Sequence, residues 1–429
     1  MPMNRVQKES YAMEKKALFL LLYLFYLAGV RHDEVILRSF GFHFDPTCNF
    51  KAIVGKGSDV HKYAIHIFSS TARVDFEAVD KPGEINLFAI SKKRTADLYV
   101  PKQAFHAYFS NSDFVATGIL EGKPFNLHFE GQGEQSFINR ILARKDDSQK
   151  NEPFLLWLMR LFVSKLPIDL VMGAGINKDY GAKNWTELVT SLNSTYYGGS
   201  EEDEAEVHHY AGKDLLTSPS LYRSSTFHVY KALAHELYEF EEARSFNDPN
   251  STLYKCVDFL EAHPGTSVIT YNYDTNLEYL CKKRKLLYCT VYDDNSFSVK
   301  NAVATIYHVH GLLPYERYDQ RKFTDSLIFT ESDYYYLYNN PYSWNVAKQL
   351  HDFKFNVCFF LGISLTDPDM KRLLELAQNY LKFNFIFMKK EEGYEEKAFE
   401  TIASYFFSFD LIIVWVDDYA EIGEWLKKL

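Results

Sequence analysis

The chain has 429 residues, 47% of them apolar, and a net charge of −10. That length can bury two or three domain cores, and the acidic balance argues against a surface built wholly for nucleic acid, so no direct nucleic-acid binding is expected. The five cysteines (Cys48, Cys256, Cys281, Cys289 and Cys358) include no Cys-x-x-Cys pair, which argues against a zinc ribbon and a disulfide framework and predicts reduced thiols in a cytoplasmic protein.

Near the N terminus, residues 17–30 (ALFLLLYLFYLAGV) form an apolar run between Lys15, Lys16 and Arg31. At 14 residues the run is too short to cross a bilayer comfortably and it lacks a small-x-small cleavage site, so a helix buried in the core or in an interface is expected, and membrane attachment is disfavoured. From about residue 35 to residue 130, short runs such as KYAIHIFS, RVDFEAV and EINLFAI alternate apolar and polar residues between turn-forming ones. Period-two alternation predicts antiparallel β structure, and no catalytic motif lies there. A polar stretch at 131–151 marks a boundary. Residues 1–150 are therefore expected to form an N-terminal helix plus a β-rich assembly or binding domain. With 17% aromatic residues, large side chains in the core or at subunit contacts are expected, and with them a homo-oligomer.

Residues 151–429 follow a different pattern. PFLLWLMRLFVSKL reads as an amphipathic helix with Pro153 near its first turn. Apolar runs at 168–172, 267–271, 304–309, 327–329, 357–361, 383–387 and 411–416 then alternate with helical patterns. That order predicts an α/β, Rossmann-like fold with a mostly parallel sheet between helices. Residues 200–263 carry an acidic run (EEDEAE) and two helical patterns but no strand signal, which predicts a helical insert.

Four stretches within this region can carry chemistry. The run at 168–172 breaks into Gly173, Ala174 and Gly175, and Asn184 with Glu187 forms a capping box twelve residues on. Amides of residues 174–177 would then be open to an anion. In SVITYNYDTNLE, Asn272 and Asp274 are two apart beyond Thr270, so they project together from a strand's carboxyl edge, where α/β proteins bind ligands. In ATIYHVHGLL, His310 precedes a strand-ending glycine and is placed to act as a base, whereas His308 reads as structural or supporting. In VCFFLGISLTDPDMKRLL, the strand ends at Gly362 with Ser364 two on, and Asp367 is a natural N-cap before Pro368.

Together these stretches resemble the sirtuin-like superfamily, and within it the bacterial sirtuin-like NAD hydrolases of antiphage defence. The family's Gly-Ala-Gly-x-Ser turn, Thr-x-Asn-x-Asp strand end, His-Gly and Gly-x-Ser occur in the same order here as Gly173-Ala174-Gly175-Ile176-Asn177, Thr270-Tyr271-Asn272-Tyr273-Asp274, His310-Gly311 and Gly362-Ile363-Ser364. The resemblance covers about residue 166 to the end. It implies that Gly173, Ala174, Gly175, Ile176, Asn177, Thr270, Gly362, Ser364 and Asp367 bind NAD, and that Asn272, Asp274 and His310 act in catalysis. Asn177 stands where the family has serine, and the four-cysteine zinc module and Pro-Asp-Phe-Arg run of sirtuin deacylases are absent from this sequence. What the resemblance implies is hydrolysis of NAD to nicotinamide and ADP-ribose without a metal, gated by self-assembly or by a partner such as a HerA-type ATPase or an Argonaute-like protein. Its alternatives are a non-catalytic NAD or ADP-ribose binding module and an NAD-dependent deacylase.

Overall fold

The computed structural model describes residues 153–429 except 165, 197–219, 221–225, 239–247, 295–300, 315–325, 341–342, 366, 379–381, 391–392 and 394–395, together with Phe19, Leu22 and the backbone of the strands between residues 50 and 129. The boundary at 131–151 and the acidic run at 201–206 lie outside the described residues.

The alternating runs before residue 130 form antiparallel strands. β1 (Phe50–Gly57), β2 (Val60–Phe68), β3 (Arg73–Lys81) and β4 (Glu84–Ser91) pair in chain order, and β5 (His106–Ser110), β6 (Asp113–Leu120) and β7 (Lys123–Phe129) make a second sheet.

The α/β region centres on a seven-stranded, all-parallel sheet. Its strands are β8 (Ile168–Met172), β9 (Thr266–Thr270), β10 (Tyr288–Val291), β11 (Ala304–His308), β12 (Val357–Leu361), β13 (Asn384–Lys389) and β14 (Leu411–Val416), in the order β10-β11-β9-β8-β12-β13-β14. This is a Rossmann-like α/β fold. The strands read as near-continuous apolar runs because both faces are covered. Leu170, Val268, Ile306, Phe359 and Phe385 point into one core, against α1 (Phe154–Val163), α4 (Thr252–Ala262), α5 (Asn276–Lys283) and α10 (Ala420–Lys427). Val171, Ile269, Phe360 and Ile386 point into the other, with α6 (Glu331–Asn339), α7 (Trp344–Phe355), α8 (Pro368–Leu376) and α9 (Glu396–Phe407). α2 (Trp185–Tyr196) and α3 (Thr226–Tyr238) build a third, smaller cluster around Tyr273 and Phe329.

Two details depart from the sequence reading. Residues 327–329 are not a strand: they form an extended segment in which the Ile328 amide donates to the His310 carbonyl and the Ile328 carbonyl accepts from the Tyr273 hydroxyl. β10, a four-residue strand at the sheet's edge, lacks a run long enough to signal itself. Within residues 17–30, Phe19 and Leu22 are fully buried, and the Phe19 ring meets Phe154, Phe383 and Phe407 edge-on at centroid distances of 5.5–6.0 Å. At these two residues the apolar run is core. Among the described residues, no helix is long and apolar enough to cross a membrane.

β8 also carries a buried carboxyl group, Asp169, which accepts from Asn356 Nδ2 at 2.7 Å. Burial, and then the charge of Asp352, push its pKa up to about 8. Folded Asp169 therefore keeps a proton that the unfolded chain releases near 3.8, so its contribution to stability is lost as pH rises from there through 8. Asp169→Asn is expected to flatten the fall of Tm between these pH values. A slope approaching about 1.4 kcal/mol per pH unit should disappear, as read by thermal unfolding at a series of pH values.

Candidate functional site

β8 is the strand from which the chain departs in both directions: β9 pairs on one side of it and β12 on the other. Ligands of open α/β sheets bind at such a switch point, outside the carboxyl ends of the strands. Parallel pairing puts all four sequence motifs at that edge, because Met172 is level with both Thr270 and Leu361, and Thr270 with His308.

The glycines interlock there. Gly362 has φ +62°, and a Cβ on it would lie 2.3 Å from the Ile176 amide nitrogen; a Cβ on Gly175 would lie 2.8 Å from Gly362 Cα. Gly175 N donates to Gly362 O (3.0 Å) and Ile176 N to Gly173 O (3.1 Å). Two of the amides expected to face an anion are thus spent inside the protein, and the glycines first of all let the ends of β8 and β12 touch. Ile176 is buried in the core beside α1 and α4. Residues 174–180 continue as a 3₁₀ helix. α2 then begins at the expected capping box, with Asn184 N donating to Glu187 Oε2 (2.7 Å) and Glu187 N to Asn184 Oδ1 (2.9 Å).

A cleft enclosing about 500 Å³, its open mouth included, lies over this edge. Ala174, Asn177, Asn272 and Asp274 line it. Thr270 Oγ1 accepts from Asn272 N (3.1 Å) and Asn272 Nδ2 donates to Gly173 O (3.1 Å), so the loop after β9 is tied to the turn after β8. Asp274 accepts from the Asn276 amide (3.0 Å) at the start of α5 and, through Oδ2, from Asn177 Nδ2 (2.9 Å). Asn177 is 2% exposed, and its Oδ1 has no hydrogen-bond partner among the described residues.

The sequence reading did not assign Lys183, Glu236 or Leu237 to the site. Lys183, between the 3₁₀ helix and α2, bonds Ser191 Oγ (3.0 Å) and forms an ion pair with Glu236 of α3, whose carboxylate also accepts from Ser191 (2.7 Å). Lys183, Glu236 and Leu237 all line the cleft. Trp185 lines it too, packed on Tyr273 and edge-on to Phe329. The helical insert therefore supplies a cleft wall. Its sequence signal was the pattern of α3, which marks a helix but not where it docks.

His310 does not line this cleft. It is 5% exposed and held edge-on between Tyr271 (4.8 Å between ring centroids), which itself lines the cleft, and Tyr334 (5.5 Å), which does not. Its Nε2 is 3.7 Å from Asp367 Oδ2, which also accepts from the Tyr334 hydroxyl at 3.1 Å. Burial lowers the His310 pKa, and Asp367 and Asp369 offset only part of that. Asp367 caps α8 through Oδ1, accepting from the Asp369 and Met370 amides (2.7 and 3.3 Å). Its place is behind His310 rather than on the cleft. Ser364 is exposed, two residues past Gly362, and also off the cleft lining.

Among the described residues no group of three or more His, Cys, Asp or Glu side chains could hold a metal ion. No curated protein matches the chain. Residues 266–407, from β9 to α9, do match the family model described as SIR2-like domain. That span contains Asn272, Asp274, His310 and Gly362 but not the glycine turn after β8. The match supports the sirtuin-like superfamily for this part of the chain and is consistent with an NAD-related function.

Proposed function

We propose that this chain hydrolyses NAD to nicotinamide and ADP-ribose. The observation that carries the reading is Asn177 Oδ1, a buried acceptor without a donor among the described residues, beside Asp274 in a cleft at the switch point of the sheet. An unpaired buried acceptor costs about 1–3 kcal/mol, and a ligand carrying an amide N–H removes that cost. The nicotinamide carboxamide is such a donor. Hydrolysis breaks the bond between the ribose C1′ and the nicotinamide nitrogen through an oxocarbenium-like state. The water oxygen bonds to C1′, nicotinamide leaves neutral, and one water proton goes to a base.

In this reading Asn177 and Asp274 hold the carboxamide, Asn272 orients the ribose or the water, and Ala174 borders the phosphates. Gly173, Gly175 and Gly362 shape the turn, with Ile176 and Thr270 beneath it. His310, kept neutral by burial, is the base, and the transfer requires a path past the Tyr271 ring. Ser364 would reach the adenosine side. Gating by self-assembly, or by a HerA-type ATPase or Argonaute-like partner in an antiphage setting, rests on the sequence resemblance alone.

The test is chromatography of nicotinamide and ADP-ribose after incubating the purified full chain with NAD. Equimolar products are expected, a lower rate for His310→Ala, and no dependence on an acyl-lysine peptide. One observation favours a second reading: His310 stands apart from the cleft lining. A non-catalytic NAD or ADP-ribose binding module predicts saturable binding by calorimetry and no nicotinamide.

A further inference from the structure

His308, at the end of β11, is 1% exposed and touches the cleft loop from beneath. Its Nδ1 lies 3.0 Å from the Asn272 carbonyl oxygen and its Nε2 lies 2.7 Å from Glu278 Oε1 on α5. Thr290 Oγ1 of β10 donates to the same carboxylate oxygen at 3.2 Å, while Glu278 Oε2 is buried with no hydrogen-bond partner among the described residues. A carbonyl oxygen only accepts, so Nδ1 must carry a proton to make the first contact. A second proton must then lie between Nε2 and the carboxylate.

We propose that His308 and Glu278 are a positioning pair: a doubly donating imidazolium pins the Asn272 carbonyl and keeps the Asn272 and Asp274 side chains aimed into the cleft. The proposal rests on the NAD reading for its activity readout but not for its structural one. When one proton leaves the pair, the remaining N–H goes to the carboxylate, the stronger acceptor. Nδ1 then presents a lone pair to the Asn272 carbonyl, and the loop loses its tether. The charged groups acting on His308 are Glu278 of α5 and Asp274 of the loop itself. Tyr238 of α3, whose hydroxyl accepts from the Thr275 amide (2.9 Å), stays neutral because burial raises its pKa. Burial alone would lower the His308 pKa, but Glu278, the Asn272 carbonyl and Asp274 together raise it. A histidine with a raised folded pKa stabilises the fold fully below its ordinary range and loses that contribution as pH rises through the folded value. The site should therefore loosen on the alkaline side.

The experiment follows the full chain from about pH 6 to pH 9, the range spanning an upward-shifted histidine. Hydrogen exchange of residues 270–276, corrected for the intrinsic rate, and nicotinamide release from NAD are measured on wild type and Glu278→Gln. Wild type is expected to lose loop protection and kcat together as pH rises, and Glu278→Gln to lose both at lower pH. Tm should fall less steeply with pH in Glu278→Gln, the Asp169 contribution being common to both proteins. Superimposable exchange profiles for the two proteins would overturn the proposal. If Glu278→Gln does not fold, a wild-type loop whose protection is unchanged across the range overturns it equally. Loss of protection as expected, with no NAD cleaved at any pH, instead overturns the NAD reading and leaves the positioning pair in place.

Discussion

Asn272→Ala is expected to lower the rate of nicotinamide release from NAD by about 10²–10³-fold, the usual cost of removing one preorganised hydrogen-bonding group from a reacting centre. Asn272 lines the cleft and is fixed at three points: its amide to Thr270, its carbonyl to His308, and its side chain to the Gly173 carbonyl. Only the last is lost in the alanine variant. The Gly173 carbonyl still accepts from the Ile176 amide, so the stability cost should stay near 1 kcal/mol. A large fall in kcat with a Tm within a few degrees of wild type separates a role in the reaction from a role in the fold. A rise in KM with kcat unchanged would mean that Asn272 contributes to binding alone and would favour the non-catalytic module.

Gly362→Ala, just past the end of β12, is expected to be strongly destabilising. Its left-handed φ costs an alanine about 1–2 kcal/mol. The new methyl must also displace the backbone at Ile176 and Gly175, 2.3–2.9 Å away, and overpacking of that kind costs about 1–3 kcal/mol more. The sum, roughly 2–5 kcal/mol, should appear as a lowered denaturation midpoint with an unchanged m-value. Gly393→Ala is the control: its φ is +90°, but among the described residues nothing lies within 4 Å of the added methyl, so only the backbone strain should be measured. Equal losses in the two variants would show that the contact between the ends of β8 and β12 contributes nothing.

Much of the parallel sheet was legible from the chain because both of its faces are dry. Runs such as VCFFL and LIIVWV read as strands buried on two sides, and capping at Asn184 and Asp367 is local chemistry that a few residues settle. β10 was not legible, since four edge residues carry too little pattern, and residues 327–329 misled because an apolar extended segment looks like a strand whether or not it is paired along its length. The motifs were legible as positions but not as partners. Spacing placed Asn272 and Asp274 on the same side, and both line the cleft. Spacing could not say that Asn177 would bond Asp274 across 97 positions, that His310 would turn toward Asp367 behind Tyr271, or that His308 would reach back under the Asn272 loop.

The sequence by itself determined what periodicity and local backbone preference control: the α/β class, the strand-ending glycines, the helix caps and the polar residues that each strand delivers to its carboxyl end. Only the tertiary structure decided which of those residues share a cleft. That depends on strand order, with β9 and β12 flanking β8, and on where the helical insert docks to bring Glu236 beside Lys183. Both are outcomes of long-range packing, in which the energy of a contact depends on surfaces far apart in the chain and leaves no signature in either one alone. The glycine turn shows the division most plainly. Its composition made a tight bend certain, whereas its use, chiefly to seat Gly362 against Gly175, follows from the strand that became its neighbour.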